Sequence, residues 1–355
     1  MFTLPDHFKL LLSNIEPDEQ RAKKAQEIPN QIRDFLQSSE DIKTVTPHTR
    51  LAGSYARCTA IKYIKDVDII LLIASEYIEQ DPEEVLDLLF QVLQGLPEAL
   101  DETGEVVICR HQRRSVNVHL EKSDFDLDIV PAVVVTDLDN PLQVPDKDWS
   151  KWVATHPLGY GDALSKLNAA RKDKVVPVIK LLKHWRDVHM IYRRPKSYWL
   201  ECMVYHRFDD KTLSADGKSY AEIFRDLLAS IYNDYLPDYE KDNAVPKVKD
   251  PMLGNNVAHN WERDNFEAFM RRIYESYRWA ERALASDDAA DAISLWQKVF
   301  GDEWFPQNAD QFKAESLKSA AVAGSIFVTP SGRVETIRPE GRAVQAQPQR
   351  FYGER

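Results

Sequence analysis

Two carboxylates two residues apart, Asp66 and Asp68 in "DVDIILLI", precede an apolar run that reads as a strand. Alternation puts residues i and i+2 of a strand on one face, so the two acids point together while Val67 and Ile69 point the other way. Like charges that close repel unless a cation lies between them. Taken alone, the pair also suits the solvated face of an edge strand. A second acidic strand, "SDFDLDIVPA", puts Asp124, Asp126 and Asp128 on one face in the same manner. Should it lie beside the first, a third carboxylate joins Asp66 and Asp68. Clustered oxygen donors of this kind suit Mg²⁺, which is commonly completed by waters and substrate phosphates. Two such ions stabilise the attacking and leaving oxygens of a displacement at phosphorus.

Upstream, Gly53-Ser54 in "LAGSYARCTAI" offers the other half of that chemistry. Gly53 lets a backbone approach a phosphate, and a short helix starting at Ser54 aims amide N–H groups and a hydroxyl at it. A lone Gly-Ser pair is equally a simple turn. The combination is more telling: Gly53-Ser54, a spacer, Asp66-Val67-Asp68-Ile69, and Asp128 on a later strand.

The elements that must carry these residues follow from periodicity. A helix is expected over 17–39, with Pro29 as a kink, then strands over 44–52, 67–73, 105–111, 115–120 and 125–135, with a helix over 81–96 inserted among them. From about residue 161 the pattern turns helical: 164–171, 175–190, 197–208, 220–235, 261–285, 291–300 and 309–323. The Pro- and turn-rich stretch "NPLQVPDKDWSKWVATHPLGYGD" marks a boundary near residue 150. The final segment is poor in large apolar residues and reads as a flexible tail.

Composition bounds the function. The 355 residues carry 46 basic against 57 acidic side chains, a net charge of −11, so long duplex DNA is not an expected partner, since such binding needs many Lys and Arg contacts to phosphates. A small polyanion such as a nucleoside triphosphate fits better, at the locally basic "NAARKDKVVPVIKLLKHWR". The three cysteines, Cys58, Cys109 and Cys202, lie far apart, so neither a disulfide framework nor zinc is indicated. No apolar run reaches the length of a membrane span, and a cytoplasmic protein with no membrane partner is expected.

The Gly-Ser element and acidic strands resemble the polymerase-β nucleotidyltransferase superfamily. Together with "DIVPA", "VIKLLKHWR", "KSYWLE" and "LWQKVFGDEWF" in that order, they resemble the cGAS/DncV-like nucleotidyltransferases (CD-NTases), which make cyclic oligonucleotide signals in CBASS-type antiphage defence. The likeness covers roughly residues 20–310. It implies an α+β fold, with a polymerase-β-like core of mixed sheet and helices plus a C-terminal all-helical domain, bilobed with the active site in the cleft. The implied organisation is an N-terminal helix across both lobes (1–40), the nucleotidyltransferase core (41–150), the helical domain (151–328) and the tail (329–355).

The resemblance also assigns roles. Asp66, Asp68 and Asp128 become catalytic metal ligands for two Mg²⁺ ions, with Mn²⁺ as a substitute. Ser54, Lys180 and Ser197 become contacts to the nucleotide phosphates, and Tyr198 an aromatic that stacks on a base; Gly53, by its backbone approach, and Lys183, one helical turn from Lys180, are added to the phosphate contacts. Lysines on a helix as apolar as 175–190 are equally solvated surface, and Tyr198 equally core. His111, His119 and His156 lack partners at useful spacing and are read as structural, while Arg57 and Arg114 could approach phosphate, with no spacing in the sequence that places them there. NTPs, ATP among them, are the implied substrates, and the product would act through a downstream effector. The tail is either a handle for a regulatory protein or a plain terminus. Three functions stand open at this point: a cyclic oligonucleotide synthase, a template-independent transferase making linear products or modifying RNA or protein, and an inactive nucleotide-binding protein.

Overall fold

The computed structural model describes residues 2–17, 19–62, 66–100, 104–192 and 194–309, together with three short strands further on. In chain order the elements are α1 (Pro5–Ile15), α2 (Glu19–Ser38), β1 (Thr44–Ala52), α3 (Gly53–Ala56), β2 (Asp66–Ile73), a 3₁₀ turn (Ser75–Glu79), α4 (Pro82–Leu93) and α5 (Leu96–Ala99). They continue with β3 (Val107–His111), β4 (Val116–Leu120), β5 (Phe125–Val133), β6 (Leu142–Asp146), β7 (Lys151–Thr155), α6 (Pro157–Ala170), α7 (Val175–His189) and α8 (Ser197–Asp209). Last come α9 (Tyr220–Tyr239), α10 (Arg263–Ala285), α11 (Ala289–Phe300), and β8 (Phe327–Val328), β9 (Val334–Glu335) and β10 (Val344–Gln345).

The chain divides into two compact units, Ile15–Arg278 and a second made of Met1–Asn14 with Trp279–Arg355. The larger holds a seven-stranded sheet in the order β1-β2-β5-β4-β3, with β6 pairing β5 and β7. Only one pairing on this path, β2 with β5, is parallel. That exception matters, because it sets Asp66 opposite Asp126 and Asp68 opposite Asp128 in register.

Alternation on these strands separates two faces. Val67, Ile69, Leu71 and Ile73 of β2 and Leu127 and Ile129 of β5 pack with α2 and α4 residues such as Ile32, Leu36, Val85 and Leu89, all fully buried. Burying such side chains is worth roughly 1.5–3 kcal/mol each, which fixes the register, since a one-residue slip would send the acids inward. On the opposite face Ile70 and Leu72 join Ala52, Ala132, Leu142 and Val144 in a smaller core. The acids lie on that face at the N-terminal ends of β2 and β5.

Helices α6–α9 belong to the same unit, and Trp185 ties α7 to α10, donating from its indole to Ser276 at 2.8 Å and packing edge-on against Phe269. A capping box at Ser219 and Glu222 starts α9. In the smaller unit Phe8 of α1 meets Trp296, Phe300 and Phe305 edge-on, with centroids 4.9–5.8 Å apart.

Several expectations are modified. Helix α1 is an addition to the expected elements, although Phe8, Leu11 and Ile15 at helical spacing are all buried. The supposed linker holds the β6–β7 hairpin, whose Leu142 and Val144 supply apolar alternation despite flanking prolines. Helix α2 runs through Pro29. The expected helix over 309–323 and most of the tail lie outside the described residues. Among the described residues no helix is long and apolar enough to cross a membrane.

Candidate active site

Strand β1 ends at Ala52 and the chain turns at Gly53, whose φ of +68° favours glycine. A second constraint is steric: a Cβ built on Gly53 would lie 1.6 Å from Oδ2 of Asp68. The close approach this glycine permits is therefore to the Asp68 carboxylate. The turn then closes on itself, with Ser54 O accepting from the backbone N–H of Thr59 at 2.9 Å and of Ala60 at 3.1 Å. Ser54 thus stands in a short helix directly beside the first acidic strand.

Asp66 is exposed, whereas Asp68 and Asp128 are half-buried. Burial, then the charges of Asp66 and Asp128, push the Asp68 carboxyl up to about 6, with Arg57 opposing. Asp128 is also raised, first by burial; Asn117 counters this by donating to Oδ1 at 2.9 Å, and Gln112 bonds it too. Asp126 sits 3.0 Å from Nδ1 of His119. Its pairing with a histidine distinguishes it from Asp128, the acid facing Asp68 in register. A cavity of about 370 Å³ opens here, lined by Asp66, Asp126, Asp128, Arg110, Gln112 and Asn117 among others.

Does this donor set fit divalent metal? Among the described residues no three His, Cys, Asp or Glu side chains close on one point, so the carboxylates stand abreast rather than as a finished cage. Their chemistry fits all the same: hard oxygen donors on neighbouring strands, with a mutual repulsion that lifts Asp68 and that a cation between them would relieve. A pH dependence follows. A carboxyl raised from 3.8 to about 6 favours the folded state below pH 3.8, and this contribution is lost as pH rises through 6. Metal-free protein should therefore lose up to about 3 kcal/mol relative to Asp68→Asn between pH 4 and pH 7. Thermal melts of both proteins across that range, with chelator present, check this; a constant difference would mean that neither burial nor the neighbouring acids raise Asp68.

On the helical side, Lys180 of α7 gives its ammonium to Glu16 at 2.6 Å, and Ser197 at the start of α8 accepts from Arg186 at 2.9 Å. Tyr198 donates to Asp250 at 2.9 Å and meets Tyr160 edge-on, with the Arg57 guanidinium 5.8 Å from its ring. Lys183 departs from expectation. Its ammonium is buried and bonds Glu201 at 2.6 Å and both oxygens of Thr59 at 3.0 Å, so its three donors are spent inside the protein. The burial of α7 across Val178, Ile179, Leu181 and Leu182 carries Lys183 inward with it.

Arg57, Thr59 and Glu201 form a group to which the sequence reading assigns no joint role, although Arg57 and Thr59 lie in "LAGSYARCTAI" and Glu201 ends "KSYWLE". Glu201 is 1% exposed and bonds Arg57 at 2.9 Å and Thr59 at 2.9 Å as well as Lys183. Burial alone would raise its carboxyl, but Lys183 and Arg57 outweigh that and hold it at about 2. A further signal in the sequence is that Glu201 is a lone acid inside the apolar run "YWLECMVY".

Comparison with known proteins identifies the family. Residues 2–168 match the Second Messenger Oligonucleotide or Dinucleotide Synthetase (SMODS) domain. A "Cyclic AMP-AMP-AMP synthase" from Acinetobacter sp. (strain ATCC 27244 / 9458) is 31% identical over 360 residues, covering 97% of this chain and 98% of its own. The chain belongs to the cGAS/DncV-like nucleotidyltransferase family. It is accordingly a nucleotidyltransferase of the cyclic oligonucleotide synthase class, a group whose chemistry generally requires divalent metal. A "Cyclic AMP-AMP-GMP synthase" from Enterobacter hormaechei is 23% identical, covering 87% of this chain and 94% of its own. Among solved structures, that of Escherichia coli MS115-1 CdnC with ATP shares the fold, with a TM-score of 0.66 at 19% identity over 85% of this chain and 98% of CdnC. The same protein is also known in a complex with HORMA-deltaN.

Proposed function

We propose that this enzyme joins three nucleotides, ATP among them, into a cyclic trinucleotide with release of pyrophosphate, as a second messenger in antiphage defence. The observation that carries it is the in-register pairing of Asp68 with Asp128 beside Gly53, in a chain whose full-length relatives are named for three-nucleotide products. Asp66, Asp68 and Asp128 would hold two Mg²⁺ ions, which when bound lower the pKa of an attacking ribose hydroxyl and neutralise charge at the phosphates. Ser54, Lys180 and Ser197 contact the triphosphate, Lys180 exchanging Glu16 for a phosphate oxygen. Charge-assisted bonds of that kind are about twice as strong as neutral ones. Asn117 and Gln112 orient Asp128 by bonding its carboxylate. Tyr198 supplies an aromatic face for a base, for which stacking is worth about 1–3 kcal/mol.

Regulation follows the same reasoning: a protein partner is supported by the HORMA complex of CdnC, and the C-terminal segment is its proposed handle. A cytoplasmic location suits the substrates.

The base composition has a direct test. With ATP as the sole nucleotide and Mg²⁺ present, a phosphatase-resistant product of the mass of cyclic triadenylate is expected. A strict need for GTP or a pyrimidine nucleotide would replace the all-adenine ring with a mixed one.

A further inference from the structure

The turn that carries Ser54 has backbone hydrogen bonds of its own, but it is too short to hold its position by them alone. Helix α3 has four residues, far below the length at which a helix is stable in isolation. What fixes the stretch 53–60 from outside is a buried ionic cluster. Arg57 donates from Nε to Oε2 of Glu201 at 2.9 Å, Thr59 Oγ1 donates to Oε1 at 2.9 Å, and Lys183 Nζ reaches Oε1 at 2.6 Å and Thr59 O at 3.0 Å. The side chains are 9%, 1% and 3% exposed for Arg57, Glu201 and Lys183. Arg57 is further confined between two aromatic rings, 5.2 Å from Tyr160 and 5.8 Å from Tyr198.

These partners come from three elements. Arg57 and Thr59 follow the phosphate turn, Lys183 lies one helical turn after Lys180 on α7, and Glu201 lies one turn after Ser197 on α8. One carboxylate thus joins the backbone that presents Ser54 to both helices that present the other phosphate contacts. A buried ion cluster is weak as a source of stability, since apolar residues of similar volume commonly do as well. What it supplies is a fixed geometry, because each bond has a required distance and direction.

We propose that Glu201 is a positioning residue: through Arg57, Thr59 and Lys183 it locks the Gly53–Ala60 turn to α7 and α8, so that the triphosphate contacts are held in one arrangement. This rests on the nucleotidyltransferase reading and adds to it a role for residues that touch no substrate. Misplacing reacting groups by about 1 Å is worth about 100-fold in rate.

The test compares full-length wild type with Glu201→Gln, Thr59→Val, Thr59→Ser and the charge-neutral pair Lys183→Met/Glu201→Gln. Each is assayed for pyrophosphate release from ATP with Mg²⁺, well below its own melting temperature. Wild-type turnover is read first, so failure of the nucleotidyltransferase reading would be visible there and not confused with failure of this one. Glu201→Gln and Thr59→Val should lose about 100-fold and about 10-fold in kcat/KM, with Thr59→Ser within about threefold of wild type. The double variant, which removes the unpaired Lys183 charge and leaves only Arg57 without its carboxylate, should recover part of the melting temperature lost in Glu201→Gln but not kcat. If Glu201→Gln is too unstable to assay, the double variant and the Thr59 pair decide. Folded variants with wild-type kcat/KM, or a rate that returns with stability in the double variant, would overturn the proposal.

Discussion

Asp66→Asn/Asp68→Asn is expected to abolish product formation, by at least about 1000-fold, in a protein that folds as well as the wild type or better. The loss in rate follows from removing two of the carboxylates proposed to hold the metal ions, where every ~1.4 kcal/mol of lost transition-state stabilisation is tenfold. The gain in stability follows from electrostatics. In the absence of metal, Asp68 is pushed up to about 6 by burial and by its acidic neighbours, and asparagine removes that repulsion while keeping the shape. A structural carboxylate would behave oppositely, since losing a paired acid leaves its partner unsatisfied. The paired measurement is turnover with Mg²⁺ and a thermal melt with chelator. An active double variant, or one that is inactive because it has unfolded, would contradict the assignment.

Gly53→Ala should be the most damaging loss of a residue that has no side chain to contribute. The added Cβ would lie 1.6 Å from Asp68 Oδ2, so either the carboxylate or the turn must move by well over 1 Å. Its backbone also has φ +68°, where a non-glycine residue costs roughly 1–2 kcal/mol. The two effects can be separated with Gly217, which has φ +67° and where an added Cβ would meet nothing within 4 Å. Gly217→Ala should lose only the backbone increment in stability and retain full turnover. Gly53→Ala should lose about 100-fold or more in turnover, because Asp68 is displaced from its position opposite Asp128. Equal activity in the two variants would mean that Gly53 serves the turn and not the carboxylate.

The legible part of this molecule is the part written in alternation and spacing. Asp66 and Asp68 beside Val67 and Ile69 announce one polar and one buried face, and β2 folds that way because Val67, Ile69 and Leu71 are drawn into the core beneath α2 and α4. Asp126 and Asp128 share the parity of Asp66 and Asp68, but only strand pairing decides which acid faces which. That pairing is parallel and depends on residues some sixty positions apart, so no local pattern reports it. The β6–β7 hairpin is hidden for a related reason: Pro141, Pro145 and the turn residues around Trp149 look like a linker, while Leu142 and Val144 are held by the distant Ile70 and Leu72.

Lys183 shows the limit most clearly. Beside Lys180 on a basic stretch it reads as a second phosphate contact, and spacing alone places both on neighbouring parts of α7. Its fate is decided by Glu201, eighteen residues later, and by Thr59, 124 residues earlier. A buried carboxylate attracts whichever cation reaches it, and the polar cluster that results carries no periodic signature.

The product itself decides whether this chain closes a ring. Wild-type protein is incubated with all four NTPs and Mg²⁺, treated with phosphatase, and the surviving species are weighed by mass spectrometry beside those from Asp66→Asn/Asp68→Asn. A phosphatase-resistant closed ring of three nucleotides containing adenine is expected with wild type and not with the variant. An open chain with free ends, or the same ring from the variant, would contradict the proposed activity.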